Sequence, residues 1–547
     1  NQLFGKVGFE SEMSRYELSY TGADNILIGN GLTPKDLLGA ERDGIHTLED
    51  ETKNEYGQLA LNMSHFFDEQ TMLSGNIYYK RSDRSTFNGD LNDEFCDGDS
   101  YDEDECTEAQ LAMSKADAEN LNEGVINRTN TLQDAYGLNL QTTFDQALLG
   151  RRNQLIAGFS AEYSQIKFSQ SEHEHLKLAA SGHIGGAPDD DGIEVSTGLT
   201  GKTKTYGAFV TNTHSYTDQL NFTTALRYNH VQVDNRDTFN APGSGASLTG
   251  KHHFERFNPT IGATFQPNEI LTTYASYSES SRAPTSIELG CANEAQPCNL
   301  PTQMADDPPL NQVVAKTFEG GISGRMSADT NWNMSLYHAT NHDDILFVFA
   351  NASNGLGYFT NVDETTRKGL DVGVSTRFDK LALNINYGYV RAQYGSAFTL
   401  ANEINSSSDG TSIQVNKGDY LPTIPKHHLK IRADYELKPQ WNLGATLTGF
   451  TSSYMMGNEN QQHDDSGGLQ AELPGYVIVN LDSDYNFYPG WDFHAKFINI
   501  FDQEYETGGR LAETRVQTDR SFDDERNVAS VIPGAPRAGW IGISKSF

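Results

Sequence analysis

Apolar and polar residues alternate with a period of two in many separate segments of this chain. In residues 220–229, Leu220, Phe222, Leu226 and Tyr228 share one face, and mainly polar residues share the other. Residues 154–164, 381–389 and 441–449 repeat the arrangement. Because successive side chains of a β-strand point to opposite faces, each segment predicts a strand with one apolar and one polar face.

Alternation alone also fits a soluble sandwich or propeller, so the connections decide between the folds. Tight turns are predicted at Asp218-Gln219, Pro267-Asn268-Glu269, Asp379-Lys380, Lys438-Pro439-Gln440 and Tyr488-Pro489-Gly490. They alternate with long polar connections, of which the longest are 83–133, 169–202 and 506–536. Such loops are exceptional in soluble domains. Short turns alternating with long loops are typical of an outer-membrane barrel, whose short turns lie at the periplasm.

The alternation predicts nineteen strands in an all-β, transmembrane antiparallel β-barrel. They are expected near residues 3–11, 14–21, 55–67, 71–82, 133–146, 153–168, 203–217, 220–234, 252–266, 270–281, 315–328, 331–345, 359–378, 381–396, 421–437, 441–455, 475–487, 491–506 and 538–547. The last strand must run toward the periplasm, and counting backwards makes the first strand run the same way. A bacterial barrel has an even number of strands and begins with an outward one. We therefore expect that a leader and further N-terminal residues precede residue 1.

Composition is consistent with this fold. No stretch approaches the ~18 consecutive apolar residues of a transmembrane helix, but barrel strands need only ~10 alternating residues. The 25 Tyr, 28 Phe and 4 Trp would supply the aromatic girdles at the membrane interfaces. A net charge of −34 argues against nucleic acid as a partner.

No catalytic arrangement rises above the background of scattered polar residues. Residues 196–203, STGLTGKT, come close to a phosphate-binding loop, but Ser196 occupies the first glycine position and a predicted strand follows. A G-x-S-x-G nucleophile motif is also missing. The sequence therefore predicts a protein that is not an enzyme.

Three segments carry a resemblance to a known family. YASYSESSRAPTSIEL (274–289), FINIFDQEY (497–505) and PRAGWIGISKSF (536–547) resemble motifs of TonB-dependent outer-membrane receptors, in the same order and spacing. The matching positions are Tyr274, Tyr277, Arg282, Pro284, Asn499, Phe501, Asp502, Tyr505 and Phe547.

The resemblance implies a 22-strand barrel filled by an N-terminal plug domain that follows a TonB box. Residues 1–547 would then be one barrel domain holding strands four to 22, with the plug outside this sequence. It implies energised uptake of a scarce nutrient, most commonly a ferric siderophore, with a vitamin, a saccharide or another cofactor as rivals. A passive porin-like channel is the alternative from a different class. The implied partners are TonB-ExbB-ExbD, a small-molecule or metal-chelate ligand, and the lipid and lipopolysaccharide of a Gram-negative outer membrane, around a monomeric barrel.

Arg282 is the candidate ligand-binding residue, together with Glu288. The strand from Leu271 leaves the membrane near Ser280, and Pro284 removes a ladder donor and ends regular pairing. Arg282 then either faces an anionic ligand or holds the loop through an ion pair with Glu288.

Four cysteines form two close pairs in polar loops, Cys96 with Cys106 and Cys291 with Cys298. This spacing favours two local disulfides in an oxidising compartment, with zinc ligands or free thiols as the alternatives.

Two other segments could bind metals. Asp97, Asp99, Asp102 and Asp104 lie between the first two cysteines and offer hard oxygen ligands for calcium, although the EF-hand spacing is incomplete and a solvated acidic tip is the alternative. No other resident cofactor is expected.

His173 and His175 share one face if the segment is extended, which would suit a transition metal. No third ligand is identifiable, so a pair of surface histidines is the competing interpretation.

Overall fold

The structure is a computed structural model of the chain. It describes all residues except 30–31, 40–41, 43–49, 92–123, 179–183, 186–192, 243–246, 291–309, 350–356, 520–521 and 547.

Nineteen strands form one large antiparallel sheet, and each pairs with the next along the chain. They are β1 (Gln2–Glu10), β2 (Ser14–Ile28), β3 (Glu51–Asp68), β4 (Thr71–Leu91), β5 (Gly124–Asp145), β6 (Asn153–Leu178), β7 (Ile193–Ser215), β8 (Leu220–Asp237), β9 (Gly250–Asn268), β10 (Leu271–Arg282), β11 (Val313–Ser327), β12 (Thr330–Phe349), β13 (Gly357–Phe378), β14 (Leu381–Tyr394), β15 (His427–Lys438), β16 (Trp441–Phe450), β17 (Tyr476–Tyr488), β18 (Trp491–Ile498) and β19 (Ala538–Lys545). Among the described strands, β1 pairs only with β2 and β19 only with β18. The predicted number of strands and their antiparallel order are confirmed.

The predicted strand ends are accurate at the tight turns and wrong at the long loops. The fifth strand begins at Gly124 rather than at 133, and the sixth continues to Leu178 rather than 168. The fifth strand stays paired beyond its apolar segment, since its first residue, Gly124, lies opposite Leu91 of β4. Alternation marks only the part of a strand that has one apolar face, so the polar extensions gave no signal.

Three predicted strands are shorter in the structure by five residues or more. The fifteenth begins at His427 instead of 421, the sixteenth ends at Phe450 instead of 455, and the eighteenth ends at Ile498 instead of 506. In each place the chain leaves the sheet and enters a folded loop.

The apolar face of the sheet is its outer face. Phe222 and Leu226, at alternate positions of β8, are 41% and 42% exposed. Leu220, Leu383 and Ile385 on the same face are half-buried and belong to no buried core cluster of the described residues. The residues predicted to face lipid therefore form an exterior belt rather than a protein core. Helices are few and short: none in the described part of the chain is long and apolar enough to cross a membrane.

The connections after β14, β16 and β18 fold into a loop layer at one end of the sheet. It contains the hairpins Phe398–Ala401 with Ser412–Val415, Ser453–Tyr454 with Glu472–Leu473, and Glu506–Val516 with Phe522–Pro533. Thr33–Pro34 adds a third strand to the last hairpin. This layer has its own core, since Val415, Met455 and Val531 are completely buried.

Candidate functional site

The inner face of the strands forms a polar wall in which long side chains lie across glycines. Tyr78 of β4 is directly opposite Gly137 of β5, which is opposite Glu162 of β6. Tyr78 extends over the bare glycine and donates its hydroxyl to the Glu162 carboxylate. A Cβ atom at Gly137 would overlap the Tyr78 ring. Glycine is therefore required there by the close approach of the neighbouring side chain.

Arg432 repeats this arrangement on the other side of the barrel. Its guanidinium lies over Gly444 of β16, and Nη2 donates to Asp482 Oδ2 of β17 at 2.8 Å. A second guanidinium nitrogen, Nε, donates to Asp434 Oδ1 at 2.8 Å. The charge of Arg432 is thus paired with one carboxylate of its own strand and one of β17, which lowers the cost of placing it inside the barrel.

Arg282 lies at the loop end of β10, where the polar wall meets the loop layer. Its Nη1 donates to Glu288 Oε1 and Oε2 at 3.0 and 2.8 Å. Arg282 is 48% exposed and Glu288 only 13%. The structure therefore brings together the two residues that were predicted from the sequence. They form an ion pair in which the arginine side chain stays about half exposed. Ligand binding by this pair stays a prediction.

Glu288 belongs to the short helix α1 (Ser286–Gly290), and Thr285 caps this helix. Glu288 Oε2 accepts from Thr285 N at 2.7 Å, while Thr285 Oγ1 accepts from Glu288 N at 3.1 Å. This reciprocal capping box satisfies two backbone donors at the start of the helix.

Helix α1 is attached to the inner wall of the barrel. Asn235 of β8 donates from Nδ2 to Ser286 O at 2.7 Å, and Ser286 is buried. Leu289 packs in a cluster with Val233 and Val313. The described start of the connection after β10, residues 283–290, therefore folds back against the inner wall of the barrel.

A buried polar network joins two loops of the loop layer. Asn402 and Asn405 donate from Nδ2 to the carbonyl oxygen of Gly457, at 2.9 and 2.8 Å. Both asparagines are buried. Because each is satisfied by backbone of the other loop, the network fixes the distance between the two loops.

Glu459 lies in this network with an incompletely satisfied carboxyl group. Oε1 accepts from Gly457 N at 2.8 Å, whereas Oε2 is buried and has no hydrogen-bond partner among the described residues. Burial raises the pKa of the Glu459 carboxyl from 4.5 to about 7. Neither this residue nor the two asparagines was predicted from the sequence. Their only signal was the density of amide side chains in residues 458–463.

The motif FINIFDQEY (497–505) forms the junction between β18 and the loop that follows. Asn499 has a positive φ of 47°, and its Oδ1 accepts from Gln503 N at 2.9 Å. Its Nδ2 also donates to Ala535 O at 3.1 Å. Asp502 Oδ1 accepts from Arg537 N at 2.8 Å. These two side chains hold the ends of the loop together at the entry to β19.

Aromatic residues of the motifs lie on different faces. Tyr274 points inward and donates to Glu319, whereas Tyr277 lies on the outer face, 4.6 Å from the Phe318 ring. Phe501 is 75% exposed, and Tyr505 is buried against Tyr476. Pro284, at the start of the loop after β10, is buried.

Several predicted residues lie outside the described residues. They are Cys96, Cys106, Cys291 and Cys298 of the proposed disulfides, the calcium candidates Asp97, Asp99, Asp102 and Asp104, and Phe547. These assignments stay predictions. His173 is buried in β6, in the same strand as His175. In the described part of the chain, no three His, Cys, Asp or Glu side chains are grouped so that they could hold a metal ion.

Comparison with known proteins gives one family model that matches residues 9–500, described as "TonB dependent receptor-like, beta-barrel". Among curated proteins, the chain is 22% identical over 284 residues to the probable TonB-dependent siderophore receptor PiuA of Acinetobacter baumannii. That match covers 52% of this chain and 34% of the relative. The ferric-pyoverdine M114 receptor PbuA of Pseudomonas sp. is 22% identical over 312 residues, covering 55% of this chain and 33% of that protein. The chain thus aligns with about a third of the length of each.

Solved structures share the fold. The crystal structure of PiuA from Acinetobacter baumannii has a TM-score of 0.69 at 16% identity, with 99% of this chain and 74% of that chain covered. The ferric-catecholate import receptor Fiu of Escherichia coli K12, in its closed form, has a TM-score of 0.66 at 13% identity, covering 99% and 73%. The ferripyoverdine receptor of Pseudomonas aeruginosa bound to ferripyoverdine has a TM-score of 0.69 at 16% identity, covering 100% and 64%.

Proposed function

This chain belongs to the TonB-dependent receptor family, and from that premise we propose that it is the outer-membrane barrel of a receptor that imports a ferric siderophore. The observation that carries the proposal is the family match over residues 9–500, which spans β2 to β18 and the loop hairpins between them. The curated relatives are named as a siderophore receptor and a ferric-pyoverdine receptor, which supports this ligand class over a vitamin or a saccharide.

The geometry supports capture at the loop end of the barrel. The loop layer consists of paired hairpins. Helix α1 lies against the inner wall beside Arg282. Below it, the wall is lined by paired charges and tyrosine hydroxyls such as Arg432 with Asp482 and Tyr78 with Glu162. A polar chelate entering from outside would meet hydrogen-bonding groups along its whole path.

In this proposal the barrel supplies binding and enclosure, and no chemical step is required. The relatives are receptors, and TonB-ExbB-ExbD would supply the energy for release of the ligand into the periplasm. Strands β2 to β18 pair on both sides, so their backbone donors are satisfied from strand to strand, as a sheet that crosses a membrane requires.

Uptake of radioactive iron by whole cells tests the proposal. The complete gene would be restored to a strain that lacks it, and iron-starved cells would receive a catecholate, a hydroxamate, a pyoverdine or citrate, each loaded with ⁵⁵Fe. We expect saturable uptake of at least one chelate, and we expect it to disappear in a tonB deletion. Uptake that is unsaturable and unchanged without TonB would instead identify a passive channel. Saturable, TonB-dependent uptake of cyanocobalamin or a saccharide, without any ferric chelate, would move the protein to another ligand class.

A further inference from the structure

The backbone pairing between β9 and β10 ends before either strand does. Thr260 opposite Ser278 is the last opposed pair toward the loop end of the barrel. Beyond it, β9 stays paired with β8 as far as Gly250, and β10 stays paired with β11 as far as Arg282. The next residue of β9 toward the loop end is Pro259, which has no backbone donor. The two strands therefore separate in the upper part of the wall.

Side chains bridge the gap between the separated strands. Arg256 Nη2 donates to Glu279 Oε2 at 2.5 Å, and Asn258 Nδ2 donates to Ser281 Oγ at 3.1 Å. A cavity of about 440 Å³ lies beside these contacts, and its lining includes Arg227, Asn229, Asn258, Thr260, Glu279 and Ser281. This volume is in the range of small-molecule sites.

Arg227 of β8 brings an unneutralised positive charge to this cavity. Its Nε donates to Asn229 Oδ1 at 2.7 Å, and its Nη2 donates to Ser160 Oγ at 3.1 Å. Both acceptors are neutral, and within the described part of the chain Nη1 has no acceptor and the guanidinium has no carboxylate partner. Arg432, by contrast, is held by two carboxylates. The Arg227 guanidinium can therefore accept an anion.

The neighbouring strand β7 holds Arg227 in one place. A Cβ atom at Gly207 would overlap the Arg227 guanidinium, so the side chain lies closely over this glycine. The guanidinium carbon is also 5.7 Å from the centre of the Phe209 ring. A side chain that is already fixed loses less conformational entropy when a ligand binds to it.

Asn258 of β9 lies directly opposite Arg227. It is only 6% exposed, and its Oδ1 is buried without a hydrogen-bond partner among the described residues. A buried acceptor without a donor is costly, so a ligand that supplies the donor gains affinity there. Because the Cβ atoms of opposed residues lie about 5 Å apart, one small group can reach both side chains.

We propose that this cavity binds a carboxylate of the imported chelate against Arg227, while an O–H or N–H group beside that carboxylate donates to Asn258 Oδ1. The planar guanidinium matches the two oxygens of a carboxylate. Glu279 also lines the cavity, but its charge is balanced by Arg256. The cavity therefore balances one negative charge, which favours a carboxylate over a phosphate dianion. That the natural ligand is a chelate rests on the proposed function, whereas carboxylate binding at this site does not.

Binding of ¹⁴C-labelled citrate to the purified whole receptor in detergent, measured by equilibrium dialysis, tests the site without iron. Citrate carries carboxylates beside a hydroxyl, and tricarballylate is the same molecule without the hydroxyl. We expect saturable citrate binding that becomes at least about tenfold weaker in Arg227→Gln, since hydrogen bonds to a charged group are lost. Tricarballylate should bind about fivefold more weakly than citrate, because it cannot donate to Asn258. Inorganic phosphate should not compete.

Variants of Asn258 test the second contact. Asn258→Ala should bind citrate and tricarballylate equally, because the acceptor for the hydroxyl is gone. Asn258→Asp should bind neither, because its carboxylate would neutralise Arg227. The matched control is Lys430→Gln, which removes an exposed lysine two residues from Arg432 on the same face of β15, away from this cavity. It should keep wild-type affinity, and every variant should keep the heat-modifiable mobility of a folded barrel on gels.

No saturable binding of citrate by the wild type, unchanged affinity in Arg227→Gln, or an equal loss in Lys430→Gln would overturn the proposal. A preference for citrate over tricarballylate that persists in Asn258→Ala would overturn it as well. Citrate binding that depends on Arg227, in a receptor that takes up no ferric chelate, would support the carboxylate site and contradict the proposed function.

Discussion

Arg282 Nη1 donates to both carboxylate oxygens of Glu288, at 3.0 and 2.8 Å, and the same carboxylate caps helix α1 through Thr285 N. Glu288 is therefore fixed by two partners, while nearly half of the Arg282 side chain remains exposed. Because one carboxylate serves both contacts, the ion pair and the helix cap should act as one unit.

Removing either partner should loosen the helix to a similar extent. We expect Arg282→Gln and Glu288→Gln each to speed hydrogen exchange at the Leu289 amide, which donates to Thr285 O, by up to about fivefold, since exposed ion pairs contribute at most about 1 kcal/mol. The double variant should add little to either single one. If Arg282→Gln lowers ligand affinity without changing this exchange rate, Arg282 is a ligand contact rather than a structural residue.

Glu459 should make the stability of the loop layer depend on pH. Burial raises its pKa to about 7, so the folded loop keeps a proton that the unfolded loop loses near pH 4.5. Local stability should therefore be greatest below about pH 4.5 and decrease as the pH rises through 7, by up to about 3 kcal/mol. Hydrogen exchange at the Gly457 amide, corrected for the intrinsic rate, measures this change.

The variant Glu459→Gln should abolish the pH dependence, because a neutral amide oxygen still accepts from Gly457 N. Glu403→Gln, at an exposed position of the neighbouring loop, is the matched control and should behave as wild type. A steep dependence that persists in Glu459→Gln would assign the effect to another group.

Gly137 should not tolerate a larger side chain. Gly137→Val would push Tyr78 away from Glu162, and we expect a loss of about 1–3 kcal/mol, as for other overpacked positions. Reversible urea unfolding in lipid vesicles measures it. Gly5→Val is the control, because nothing lies within 4 Å of a Cβ there. Equal stability of the two variants would contradict the close approach of Tyr78 over Gly137.

Neighbouring positions of β8 should differ in their response to charge. Leu226 is on the outer face, so Leu226→Lys should destabilise the inserted barrel by about 2–4 kcal/mol, the usual cost of a lysine facing the middle of the bilayer. Ala225 is on the inner face and borders a polar cavity of about 440 Å³ with Arg227 and Asn229, so Ala225→Lys should cost far less. The same unfolding assay compares them, and a reversed order would mean that the two faces of the sheet had been exchanged.

The alternation of apolar and polar residues was sufficient to predict the strands and their order. Each strand from Leu220 or Leu381 onward must place one face in hydrocarbon and the other in water, and a period of two is the direct consequence. The tight turns were predictable for the same reason, because residues such as Asp379-Lys380 interrupt the alternation. Arg282 and Glu288 were found through a motif and their nearness in the sequence.

What the sequence by itself determined is therefore the sidedness of the sheet, the count of strands and the family. Only the tertiary structure decided where strands end above the belt, how the long loops pack, and which residues meet within them. Asn402 and Gly457 are 55 residues apart, and Tyr78, Gly137 and Glu162 lie on three different strands. Such contacts depend on strand register and loop packing, which follow from many weak interactions summed over the whole chain, and no local pattern encodes them.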